Sequence, residues 1–369
     1  MDFKNFEKVV IKVGSALIAP NKAGCSDQYL RSIAHFISQC RASGKQVVLV
    51  SSGSVAAGSH LFNDKSQQGK SITIKKAMAA AGQSEMMATW DRLFDFPTAQ
   101  VLLTHADLRN RDRYVSIRNT IEALLSNGIL PIVNENDTVT TDKLKVGDND
   151  NLSAMVATAA KADALIICSD IDGLYDENPH INKQAKLLSD VYQINDTIYA
   201  MAGGATSDVG TGGMKTKIQA AEKAVSHGID TYIVNGFKEE SFNTLIAGDN
   251  PGTHFYPYKK PMLDGVHWMR HTTRVQGELI VSDQYQLEDT ELTELLAEDL
   301  LSVKGDFSSG DTVLLRKDNG DKLAKVKTNY SSCLLNFVAD SDNEDFSEQL
   351  DKTHEPILSK QYVALMESK

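Results

Sequence analysis

Cysteine is scarce in this chain. There are four in 369 residues (Cys25, Cys40, Cys168 and Cys333), and no two lie close enough to form a CxxC pair. That pattern excludes a zinc ribbon, argues against a disulfide scaffold and fits a reducing compartment. No run approaches the roughly 18 apolar residues that span a bilayer. The opening stretch, MDFKNFEKVVIKVG, has no apolar region of a secretory signal, so a cytoplasmic location is expected. The nine histidines show no metal-ligand spacing such as H-E-x-x-H, and they are read as solvent or packing residues. A G-x-S-x-G nucleophile elbow is missing, and no internal repeat is visible. Excess positive charge is missing too: 38 basic residues face 49 acidic ones, for a net charge of −11. Residues 1–261 hold 27 basic and 28 acidic residues, whereas residues 262–369 hold 11 and 21. The acidic excess therefore sits in the last third, a poor footprint for nucleic acid, which selects clustered Lys and Arg.

What remains is an ordinary globular composition, 41% hydrophobic and 24% charged, long enough for two domains at about 150 residues each. Short β-branched runs read as strands at 8–13, 46–51, 99–104, 129–133, 164–168 and 231–234. Between them, helical patterns cover 28–42, 72–94, 113–126, 152–161 and 215–227. The strands are almost wholly apolar, as strands buried on both faces should be. The alternation predicts an α/β fold with a mainly parallel sheet sandwiched by helices. Ligands in such folds bind beyond the carboxyl ends of the strands, where this chain places polar Gly- and Asn-rich segments. The character changes near residue 250, with Pro251, Pro257 and Pro261 close together. The expected division is a domain over 1–258, a linker over 259–273 and a small β-rich domain over 274–369.

Five segments could carry chemistry. Lys12, Gly14 and Ser15 in VVIKVGSALI place a compact cation at a strand end beside a glycine turn, suited to phosphate; taken alone, a surface lysine at a strand end is the plainer reading. Ser51, Ser52, Gly53 and Ser54 occupy a strand-to-helix turn, either an anion site or an N-cap cluster. NENDTV and VGDNDNLSA supply Asn134, Glu135, Asn136, Asp137, Asp148, Asn149, Asp150 and Asn151. Such dense acids and amides suit a small polar zwitterion, with a polar surface loop as the alternative. Their spacing does not match an EF-hand. SDIDGLYDENP, with Ser169, Asp170, Asp172 and Tyr175, could seat a base or ribose or form a solvated turn. VGTGGMKTK, with Thr211, Gly212, Gly213, Met214, Lys215, Thr216 and Lys217, leads glycines into a helix, as phosphate cradles do. It is neither a Walker A loop, because Met214 precedes the Lys-Thr, nor a G-x-G-x-x-G turn. Lys12 and Lys217 then stand as candidate phosphate-binding lysines beside an acid and amide pocket.

Together IKVGSALI, VSSGSVAAG, AAGQS, LLTHADLRNRDRY, VNENDTV, KVGDNDNLSA and GTGGMKTKIQAA resemble the glutamate 5-kinases of the amino acid kinase superfamily. The resemblance runs in order from about residue 8 to 260. It implies ATP- and Mg²⁺-dependent phosphorylation of the γ-carboxyl of L-glutamate, the entry step of proline synthesis, with inhibition by proline. By resemblance, Lys12 and Lys217 stabilise the transferred phosphoryl and Asp150 holds both lysines. Ser52, Asn134, Asp137, Asp148 and Asn149 contact glutamate. Lys12, Gly14, Ser15, Ser169, Asp170 and the Thr211–Lys217 loop contact ATP. No protein metal ligand is implied.

The family often has Thr-Asp where this chain has Ser169-Asp170; Lys215 is an added charge, and residues 61–72 match less clearly. GELIVSD, SVKGDFSSGDTV and AKVKTNYSS resemble the PUA domain appended to many members, for which a regulatory or assembly role is expected. The resemblance further implies a homo-oligomer, dimer or tetramer, and hand-off of a labile acyl phosphate to a reductase. Another superfamily kinase, acting on acetylglutamate, aspartate, carbamate or UMP, and an RNA-binding regulatory protein are the competing readings.

Overall fold

The computed structural model describes residues 3–21, 23–62, 71–140, 148–179, 181–202, 213–259, 261–262, 264–285, 295, 299–339 and 356–366. The chain divides into two units, Met1–Pro261 and Met262–Lys369.

The described strands of the first unit are β1 (Lys8–Val13), β2 (Gln46–Ser51), β3 (Thr98–Leu103), β4 (Leu130–Glu135), β5 (Ala164–Ser169), β6 (Asp190–Val191), β7 (Asp230–Asn235) and β8 (Thr253–Phe255). They form one sheet in the order β3-β4-β2-β1-β5-β7-β8-β6. Every pairing is parallel except that of β7 with β8. The expected mainly parallel sheet is thus present. Strands β1 and β2 match the sequence reading residue for residue, because each is a valine-rich run buried from its second residue onward.

The helices are α1 (Ser15–Ile18), α2 (Leu30–Ala42), α3 (Ser54–Gly58), α4 (Ile72–Asp91), α5 (His105–Arg109), α6 (Arg111–Ser126), α7 (Asp148–Ala160), α8 (Asp196–Met201), α9 (Met214–Ser226) and α10 (Glu239–Ala247). Leu30, Ile33, Ala34, Ile37 and Cys40 recur at helical spacing on α2 and are buried against the sheet. Local caps set several helix starts. Ser71 accepts from the Ile74 N–H, Asn110 from the Arg113 N–H, and Thr104 with Asp107 forms a capping box.

Alternation along β1 decides where the chemistry falls. Val9, Ile11 and Val13 enter the core shared with α2 and α10. Lys12 therefore points to the opposite face, where α7 packs on β1 and α9 packs on both α7 and β7.

Two readings shift. Asn134 and Glu135, expected after the fourth strand, lie inside β4, paired with Leu102 and Leu103 of β3. Asp148, Asn149, Asp150 and Asn151, expected in a polar segment, form the first turn of α7. Carboxylates and amides are favourable at that end of a helix, where backbone N–H groups are unpaired.

The second unit contains α11 (Asp264–His271), β9 (Gly277–Val281), β10 (Leu300–Gly305), β11 (Thr312–Lys317), β12 (Lys322–Thr328), α12 (Ser332–Ala339) and β13 (Leu358–Leu365). Its sheet runs β10-β9-β11-β12-β13 over its own core, built from Leu279, Val281, Val313, Leu315, Ala324, Val326 and Leu335 among others. The stretch 259–273, expected as a linker, carries helix α11. Its Trp268 and Met269 are buried, so hydrophobic burial outweighs the proline signal there.

Candidate active site

The parallel strands bring Gly14, Ser52, Asn136 and Asp170 to one edge of the sheet, each following the carboxyl end of a strand. Short backbone bonds hold these turns: the Ser52 N–H donates to Val13 O at 3.0 Å, Asn136 N–H to Leu103 O at 2.7 Å and Gly236 N–H to Ser169 O at 2.8 Å.

The centre of the site is Asp150, with no exposed surface. Lys12 Nζ stands 2.5 Å from its Oδ1, and Lys217 Nζ stands 3.6 Å from its Oδ2. The Thr216 hydroxyl donates to the same Oδ2 at 2.7 Å. Two buried ammonium groups meet at one buried carboxylate, and Asp170 also acts on Lys217; positive charge gathered in this way suits an anionic ligand. Burial alone pushes the Asp150 carboxyl up; Lys12, Lys217 and Thr216 outweigh it and hold the group at about 2. Burial pushes the Lys217 ammonium below the ordinary lysine value; Asp150 opposes this and the nearby Lys12 adds to it.

Lys217 reaches this point because it lies in the buried stripe of α9 with Met214, Ile218, Ala221 and Val225. Lys215, two residues earlier, is exposed and takes no part in the cluster. Gly213 enters α9 in an extended conformation with no side-chain cap, and the N-terminus of a helix favours an anion. A Cβ at Gly14 would lie at ordinary contact distance from Lys12 Nζ, 3.9 Å away, which places this turn beside that ammonium. Ser15 starts α1. The Ser169 hydroxyl donates to Asp170 Oδ1 at 3.1 Å, and Asp170 is exposed. Thr211 and Gly212 lie outside the described residues, as does the side chain of Asp148.

Asn149, the residue before Asp150 on α7, belongs to an amide cluster. Asn149 Nδ2 donates to Asn134 Oδ1 at 3.2 Å, and Asn134 Nδ2 donates to Gln83 Oε1 at 2.8 Å. Asp137 accepts from the Ser54 hydroxyl at 2.9 Å, and Ser52 is buried at the end of β2.

Gln83 was not among the expected site residues, and Ser54 was expected only in an anion-binding or N-cap turn. The available signal for Gln83 was Gly82 in AAGQS. A Cβ there would fall 2.0 Å from Ser54 O and 2.4 Å from the Gly58 N, so glycine lets α4 lie directly on α3. Asp172 proves to be a tie between loops: it accepts from Asn235 at 2.9 Å and Lys238 at 2.7 Å, joining the turns after β5 and β7.

A parallel α/β sheet with two lysines and a carboxylate beyond its strands is the framework of a phosphoryl-transfer enzyme that works by charge and positioning. Residues 7–235 match the amino acid kinase family. The chain is 58% identical over 368 residues to glutamate 5-kinase 1 of Pseudoalteromonas translucida, covering 100% of both chains. It is 52% identical to glutamate 5-kinase of Idiomarina loihiensis, over 95% of this chain and 94% of that one. With glutamate 5-kinase of Salinibacter ruber it shares 45%, over 94% of each. The chain belongs to the amino acid kinase family and, within it, to the glutamate 5-kinases.

Proposed function

We propose that the enzyme transfers the γ-phosphoryl group of ATP to the γ-carboxylate of L-glutamate, giving L-glutamyl 5-phosphate and ADP. The observation that carries this reading is the Lys12–Asp150–Lys217 cluster, joined through adjacent Asn149 and Asp150 to the Asn134–Asn149 amides. A carboxylate with a pKa near 4.3 is already anionic at neutral pH, so no general base is required and none of the expected site residues is a histidine. A γ-carboxylate oxygen forms the new bond to phosphorus, the bond to the β–γ bridging oxygen breaks, and ADP leaves with the electron pair. The difficulty is bringing an anion to a polyanion, and charge stabilisation with alignment answers it. In this reading Lys12 and Lys217 neutralise the moving phosphoryl group, and Asp150 holds the two ammonium groups at one point. Ser52, Asn134, Asp137, Asp148 and Asn149 hold the acceptor. Gly14, Ser15, Ser169, Asp170 and Thr211–Lys217 surround the nucleotide phosphates, although exposed Lys215 is the weakest member.

Among the described residues no group of three or more His, Cys, Asp or Glu side chains could enclose a metal ion. Mg²⁺ keeps several waters and is bound largely through nucleotide phosphates. The ion would enter with ATP and supply further charge neutralisation.

We place the reaction at the entry to proline synthesis, in the cytoplasm, with proline as feedback inhibitor, the chain acting as a homo-oligomer and the labile product passing to a reductase. The second unit is read as PUA-like, with a regulatory or assembly role. Among the described residues no helix is long and apolar enough to cross a membrane.

ADP release measured with Mg²⁺-ATP and glutamate, aspartate, acetylglutamate or UMP tests the acceptor. Turnover with glutamate alone is expected; turnover with one of the others instead overturns the assignment.

A further inference from the structure

The amide cluster has a direction that a fixed donor imposes. The backbone N–H of Glu135 donates to Asn134 Oδ1 at 2.9 Å. A main-chain N–H cannot reverse its role, so this bond decides which end of the Asn134 carboxamide is oxygen. Asn134 Nδ2 must then donate, and it does so to Gln83 Oε1 at 2.8 Å. Asn149 must present its nitrogen to Asn134 Oδ1, at 3.2 Å. The row Gln83–Asn134–Asn149 is thereby polarised from end to end, and its two outer atoms differ in kind. Gln83 Nε2 is a donor and Asn149 Oδ1 is an acceptor. Both are buried with no hydrogen-bond partner among the described residues.

Buried donors and acceptors without partners are rare and destabilising. Here one is a donor on α4 and the other an acceptor on α7, in the residue next to Asp150. An α-amino acid carries the matching groups on a single carbon: a carboxylate that accepts and an ammonium that donates. The mount is rigid. Gly82 sets α4 directly against α3, and Trp90 Nε1 on the same helix donates to the Ser51 hydroxyl of β2 at 2.9 Å.

We propose that Gln83 is a specificity-determining residue of the acceptor pocket, its carboxamide N–H donating to the α-carboxylate of the amino acid while Asn149 Oδ1 accepts from the α-ammonium. This rests on the reading of the acceptor as an α-amino acid. Asn134 is then a positioning residue, aiming both outer groups through one backbone N–H. The row would select against acceptors that lack the carboxylate or the ammonium.

Two variants separate this role from a purely structural one. Gln83→Glu keeps the oxygen that accepts from Asn134 but replaces the donor with a second negative oxygen. Gln83→Met removes both functions at similar volume. A residue that only holds Asn134 would tolerate Glu and suffer from Met; a donor to a carboxylate gives the reverse order. The expected result is a glutamate KM raised about ten- to a hundredfold in Gln83→Met and at least tenfold further in Gln83→Glu, with the ATP KM of each within about twofold of wild type as the check on folding. Near-normal glutamate KM in Gln83→Glu, or equal KM values in the two variants, overturns the proposal while leaving the kinase reading intact. Wild-type enzyme that turns over no α-amino acid overturns both.

Discussion

Lys12 Nζ lies 2.5 Å from Asp150 Oδ1, a contact between the end of a central strand and the first turn of a helix about 140 residues later. Both side chains are buried. An ion pair this enclosed is weak evidence for net stability, but removing one partner leaves a buried charge without compensation. Asp150→Asn keeps the volume and an acceptor for Thr216 yet strands two ammonium groups. Its unfolding free energy in urea should fall by about 3–5 kcal/mol, and nucleotide added during the melt should recover part of the loss.

The same carboxyl predicts an acid transition. Its folded-state pKa of about 2 lies below the ordinary 3.8, so the folded protein binds the proton more weakly than the unfolded chain. The stabilisation is complete above about pH 4 and is lost as pH falls through about 2, an amount on the order of 2 kcal/mol. Urea melts between those pH values should show this dependence in the wild type and a flatter one in Asp150→Asn.

Lys217 predicts behaviour at the other end. Burial lowers its pKa from the ordinary 10.5, so the ammonium is lost as pH rises through a value below that of a free lysine. The neutral amine cannot stabilise phosphoryl charge, and kcat should decline on the alkaline side before ordinary lysines titrate. A bound polyanion favours the charged form, so the decline in kcat should lie at higher pH than that in kcat/KM for ATP. In Lys217→Arg, whose guanidinium does not titrate in this range, the residual activity should lack this limb. An unchanged alkaline limb in that variant would assign the titration to another group.

Gly82 predicts a coupled loss of stability and substrate affinity. A methyl group there meets backbone atoms of Ser54 and Gly58 at 2.0 and 2.4 Å, so α3 and α4 must separate. Gly82→Ala should cost about 1–3 kcal/mol and raise the glutamate KM more than the ATP KM, since the shifted helices carry Gln83 and Ser54. A thermal melt and two substrate titrations check both parts.

Much of this architecture was legible from residue patterns, and the exceptions have physical causes. Strands β1 and β2 stood out because a parallel sheet covered on both faces demands continuous β-branched runs. Lys12 was visible at the end of such a run beside a glycine turn, and Lys217 in the helix that a glycine-rich turn enters. Their convergence on Asp150 was not a matter of spacing; it came from the family resemblance, because only the packing of α7 and α9 on one face of the sheet joins residues 12, 150 and 217. Asn134 and Glu135 read as loop because polar residues rarely end a buried strand. Gln83 was hidden mid-helix, marked only by the neighbouring Gly82. In the second unit, α11 was masked by the prolines before it.

The central claim is that Lys12, Asp150 and Lys217 stabilise phosphoryl transfer to a carboxylate. Trapping acyl phosphate with hydroxylamine, in wild type and in Lys217→Met at saturating Mg²⁺-ATP and glutamate, tests it most directly. The account predicts hydroxamate from the wild type and a rate lower by about 10²–10³, or 2.7–4 kcal/mol, in the variant. Near-wild-type hydroxamate formation by a folded Lys217→Met enzyme would contradict it.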